Sequence, residues 1–130
     1  MATRFTKEES LIACAYLTSY SDGGTDAESN FIKNKLMPFY GLDNKVNWNN
    51  FLDKWNTMIE SKGKSKIEKA CINTLKKNNY DMRVKACAGI WAVGYDVDEE
   101  WSSEESELFW RVQKALNVKE EDARAEWKKI

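Results

Sequence analysis

Four times along this chain of 130 residues, a serine or threonine stands three residues ahead of a glutamate at the start of an apolar-periodic run. The pairs are Thr6 with Glu9, Thr25 with Glu28, Ser65 with Glu68, and Ser102 with Glu105. In this arrangement the hydroxyl accepts a hydrogen bond from the glutamate's backbone amide, and the carboxylate reaches back to the amide of the hydroxyl residue. Two donors that a helix start leaves orphaned are thereby satisfied. A chain punctuated this way is committed to helices, and no alternating stretch or hairpin turn competes for a strand.

The apolar spacing between these marks predicts seven helices. The first runs from Lys7 to Ser21 with Leu11, Cys14, Ala15 and Thr18 on one face, and Gly23 and Gly24 end it. The second follows Thr25 and carries Phe31, Ile32, Leu36 and Phe39 to a stop at Gly41, with Pro38 limiting its last turn. The third follows Asn47 through Phe51, Leu52, Trp55, Met58 and Ile59 until Gly63. The fourth follows Ser65 through Ile67, Ala70, Cys71, Thr74 and Leu75, with Asn78 and Asn79 as its closing turn. Asp81 is the expected cap of the fifth, Met82 to Tyr95, which is apolar almost all round and therefore central. The sixth follows Ser102 to about Asn117, and a short helix from Glu120 to Lys129 docks Trp127. Residues 1–130 are thus expected to form a single all-α domain, a bundle of six to seven helices whose last short helix lies within 119–130.

What the chain lacks narrows its chemistry. There is no histidine, which removes Ser-His-Asp and Cys-His catalysis and every imidazole metal site. Cys14, Cys71 and Cys87 are too far apart for a CxxC unit and read as small, reduced core residues. With no leader-like segment and no long apolar run, the expected location is cytoplasmic, with no transmembrane segment. Most of the six tryptophans are expected in or against the core, with Trp101 plugging one end of the bundle.

A weak internal duplication is visible. Ala13-Cys14-Ala15 recurs as Ala86-Cys87-Ala88, and each is followed by an acidic loop and a glutamate-capped helix. The second loop, Asp96 to Glu105, is about three residues longer than the first, Asp22 to Glu28. The Tyr20-Ser21-Asp22-Gly23 helix end, Glu28, the second acidic loop with Trp101 and Glu105, and Ala115-Leu116-Asn117-Val118 resemble the tellurite-resistance TerB family, whose domain is related to the DjlA N-terminal region. The resemblance covers residues 6–118. It implies a duplicated helical bundle whose loop acids bind metal, in a cytoplasmic stress-response system with other proteins, some membrane-associated, as partners. The second loop departs from the family pattern in carrying Glu99 where a glycine is expected after Asp98.

From Ala86 to Trp110 there is no lysine or arginine, while seven carboxylates crowd together from Asp96 to Glu107. Like charges so placed need solvent, a helix N-terminus or a cation. An all-oxygen donor set selects a hard divalent ion, Ca²⁺ or Mg²⁺. The candidate metal ligands are Asp22, Glu28, Asp98 and Glu105, with Asp26 peripheral and Asp96 an alternative to Asp98. The competing reading is structural, since Glu28 and Glu105 are also the carboxylates of two capping boxes. An EF-hand is disfavoured because Trp101 occupies the position where that loop needs glycine.

The segment from Lys62 to Lys85 is opposite in sign, so the net charge of -1 conceals a strong segregation. Lys62, Lys64, Lys66, Lys69, Lys76 and Lys77 are the candidate partner-binding residues, for an acidic protein or anionic headgroups, against the plainer reading of a solvated helix face. A nucleic-acid partner is not expected, because no aromatic residues interleave with the lysines. The functional expectation is a noncatalytic module that binds metal and other proteins. Its alternatives are a metal-dependent hydrolase using the same carboxylates and a metal-free helical scaffold.

Overall fold

A computed structural model describes the backbone of residues 4–21, 26–97 and 103–130, together with the side chains of these residues except 19–21, 26, 95–97 and 104. The described residues form seven helices and no strand, an all-α bundle. They are α1 (Lys7–Ser21), α2 (Asp26–Phe31), α3 (Trp48–Ser61), α4 (Lys64–Lys76), α5 (Tyr80–Trp91), α6 (Ser103–Ala115) and α7 (Glu120–Trp127). Two of them continue past their regular turns. α2 runs through a π-helical stretch (Ile32–Leu36) into a last turn (Met37–Phe39), and α5 runs into a second π-helical stretch (Ala92–Val97).

Capping decides most of the boundaries. At α1 the expected box is complete: the Thr6 amide donates to Glu9 Oε1 at 2.9 Å, and the Glu9 amide donates to Thr6 Oγ1 at 3.1 Å. Asn47 caps α3 by accepting from the Asn50 amide at 3.0 Å. The chain turns at Gly41 and Gly63 with φ of +67° and +84°, a region that glycine enters without a side-chain penalty.

Two expected caps are corrected. α4 starts at Lys64 behind Gly63, so Ser65 lies inside the helix. Glu68 does not turn back to the helix start; it takes both arms of the Arg111 guanidinium, at 2.8 and 2.9 Å. A charge-assisted fork to a planar guanidinium outcompetes a single bond to a backbone amide. Asp81 is not the cap of α5. Asn79 is, accepting from the Met82 amide at 2.9 Å, so the helix begins two residues earlier than expected and Asp81 pairs with Lys85 in its exposed first turns. The Thr25 and Ser102 caps lie outside the described residues.

α1 and α5 form the centre. α1 packs on α4 and α5, and α5 packs on α7. The repeated Ala-Cys-Ala segments are buried in this crossing. Gly89 also lies here, where a Cβ would stand in ordinary contact, 3.7 Å from Ala15 Cβ and 3.4 Å from Leu36 Cδ2. Small residues thus set the approach of α1, α2 and α5. Aromatic residues close the two flanks. Tyr16 is surrounded by Trp48, Phe51 and Trp55 on one side of α1, and Trp91 stacks on Phe109 at 4.2 Å and abuts Trp127 on the other. α7 is held at its start by Tyr80, whose hydroxyl donates to Asp122 at 2.7 Å and accepts from the Lys119 amide at 3.0 Å. Trp110 departs from the expected core role, with nearly half its surface exposed, and Trp101 lies outside the described residues.

Candidate functional site

The described part of the helix that leads to the second acidic loop closes with the π-helical stretch Ala92–Val97. A π turn accommodates inserted residues within a helix, and such stretches recur at functional sites. Asp96 falls inside the π-helical stretch, and Asp22 and Asp98 lie outside the described residues. That stretch also packs against α1 and α2, so the approach to the second loop borders the helix that leaves the first.

Of the expected metal ligands, Glu28 and Glu105 are described in full. Both are wholly buried, with no exposed surface, in the first turns of α2 and α6. Asp22 and Asp98, and the side chains of Asp26 and Asp96, lie outside the described residues. Among the described residues no three acidic or thiol side chains gather closely enough to hold a metal ion. Both buried glutamates engage other groups of the protein.

Glu9 shows within the same molecule how a buried box glutamate is compensated. It is 5% exposed, accepts from the Thr6 amide, and is neutralised by Lys54 at 2.6 Å. Removing a carboxylate from water costs several kcal/mol, so burial of this kind goes with donors and a counter-charge. The other two stand in long stretches of sequence without a basic residue. No lysine or arginine occurs between Lys7 and Lys33, or between Lys85 and Arg111. The electronegative character of both corners is thus built into long stretches of sequence.

Elsewhere the electrostatics invert. Lys62, Lys64, Lys66, Lys69, Lys76 and Lys77 are all exposed, and among the described residues none of them forms an ion pair. Glu68, the one acid of α4, is turned away to Arg111 of α6. The outer face of α4 is cationic because its counter-charge is spent on an interhelix contact. Nothing in the local sequence announces this, since Arg111 is 43 residues away.

The three cysteines are buried and free, as expected of core residues. They also meet. The thiols of Cys71 and Cys14 are hydrogen-bonded, which with burial holds Cys71 well above the ordinary thiol range. Burial, with Cys14 beside it, likewise pushes the Cys87 thiol up. Neutral, water-excluded thiols are poor nucleophiles, so this cluster is packing rather than chemistry.

Compared with protein-family models, with curated proteins and with solved structures, the chain matches none. Among the described residues no helix is long and apolar enough to cross a membrane.

Proposed function

We propose that this protein is a noncatalytic, TerB-like module that holds one or two divalent cations at its acidic corners. Its charged faces dock onto other proteins of a cytoplasmic stress-response system. The observation that carries the reading is the complete burial of Glu28 and Glu105 at matching positions, each just after an acidic loop and each in a stretch of chain without a basic residue. The proposed ion neutralises the acidic loops that these two glutamates follow. Asp22 and Asp98 complete the donor set, with Asp26 at its edge, and the all-oxygen chemistry suits Ca²⁺ or Mg²⁺. The ion supplies charge neutralisation and ties the two helix-loop-helix corners together, and the protein carboxylates need no catalytic role.

Isothermal titration of the chelator-treated protein with Ca²⁺, Mg²⁺, Mn²⁺ and Zn²⁺ tests this. Saturable binding is expected for at least one hard ion, weakened about tenfold or more by Asp22→Asn or Asp98→Asn, with a matching rise in thermal midpoint. Equal midpoints in chelator and in millimolar Ca²⁺ and Mg²⁺ would overturn it. Metal-dependent phosphoesterase turnover abolished by Glu105→Gln at unchanged metal affinity would assign the carboxylates to hydrolysis instead.

A further inference from the structure

The last turn of α3, the second half of α4 and the segment leading into α1 together line a concave surface. The result is a groove of about 320 Å³. Its cations come from three separate places in the chain: Arg4 ahead of α1, Lys62 at the end of α3 and Lys77 at the end of α4. None of them forms an ion pair among the described residues, and no acidic side chain lines the groove. Phe5 and Met58 form an apolar floor, almost fully buried, and the exposed methyl of Ala70 stands on the wall. Asn73 and Thr74 add polar groups between the cations.

We infer that this groove binds an acidic peptide segment of a partner protein, its carboxylates paired with Arg4, Lys62 and Lys77 and one apolar side chain lowered onto Phe5 and Met58. Charge complementarity selects the sign of the occupant. Unpaired cations held within a concave site attract an anion more strongly than the same charges scattered on a convex surface. The shape selects its class. A bilayer is too flat to follow a groove whose floor lies below its charged rim, and among the described residues the large exposed apolar side chains, Phe39, Tyr80 and Trp110, stand on other elements and offer no anchor beside it. A nucleic acid strand gains most of its sequence-tolerant affinity from stacking on exposed rings, and the one ring here, Phe5, is buried. A peptide with spaced carboxylates and one aliphatic side chain satisfies rim and floor together, and Asn73 and Thr74 can hydrogen-bond its backbone.

The lysines further out on α4, Lys64, Lys66, Lys69 and Lys76, extend the positive field without lining the groove. They belong to steering, and the three groove cations to affinity. The groove shares no residue with the acidic corners, so the inference stands or falls separately from cation binding.

The test is fluorescence anisotropy of a short fluorescein-labelled peptide of aspartates and glutamates bracketing one leucine, titrated with the full chain. Saturable binding is expected, steeply weakened by added salt, and reduced about tenfold or more by the double reversal Lys62→Glu with Lys77→Glu. Replacing the leucine of the peptide by glycine should weaken binding several-fold. Reversal of Lys66 and Lys69 should act mainly on the association rate. All these lysines are exposed, so the variants are expected to fold, and circular dichroism checks that they do. Absence of peptide binding, binding indifferent to the double reversal, or variant-sensitive binding to phosphatidylglycerol vesicles with none to the peptide would each overturn the inference.

Discussion

Cys71 keeps its proton for two reasons that reinforce each other: a hydrogen bond with the thiol of Cys14 and exclusion of water. Cys87 keeps its proton chiefly through burial, and so does the hydroxyl of Tyr40, which donates to the Lys85 carbonyl. Each group is neutral when protonated and holds its proton more tightly folded than unfolded. Below the ordinary thiol value of 9.0 both states are protonated, and the contribution is fully present. As the pH rises past that value the unfolded chain sheds protons that the folded chain retains, and stability falls. The limit is about 1.4 kcal/mol per pH unit for each thiol. Urea midpoints are therefore expected to be level to about pH 8 and to decline from there to pH 10, with a visibly shallower decline in Cys87→Ala. A flat profile would show that the thiols titrate alike in both states.

At the scale of helices, position 89 on α5 faces Ala15 of α1 and Leu36 beyond α2. A methyl there would rest in ordinary contact with Leu36 and Ala15, while alanine lowers the cost of holding a helix by about 1 kcal/mol relative to glycine. Gly89→Ala should thus be neutral or stabilising by up to about 1 kcal/mol. Gly89→Leu should destabilise by about 1–3 kcal/mol, because the added volume forces the helices apart. Chemical denaturation of the two variants separates a contact limit from a conformational requirement.

Over the whole molecule, charge is segregated along α1. A helix of this length spans about 22 Å, with the cationic groove before its first turn and the first acidic loop after its last. Much of this was legible in the sequence wherever the cause was local. The limits of α1, the Asn47 cap and the Gly63 break follow from residues within a turn or two of each boundary. What long-range contacts decide was not legible. Glu68 reads as a capping carboxylate until Arg111 claims it. The Asp81 misreading is local, since Asn79, two residues earlier, offers an equally good cap and fills that place. The lysines of α4 read as a simple charged face, because the groove also needs Arg4, Phe5 and Met58 from two other segments. At the acidic corners, the residue types and their repetition were visible but the complete burial of Glu28 and Glu105 was not, since a box glutamate is as readily placed on the surface.

The meeting of Cys14 and Cys71 between α1 and α4, with Cys87 on α5 close by, also gives the protein a built-in clock for its own opening. A thiol reagent in water reaches these sulfurs only when the central helices part, so the rate of thiol capture counts excursions from the closed state. Capture by an aromatic disulfide reagent should be slow in buffer and accelerate with sub-denaturing urea. It should slow further when Ca²⁺ or Mg²⁺ is added, if the cation joins the corners at the far end of α1. No label need be introduced, and the measurement reads the interior directly while the surface is engaged elsewhere.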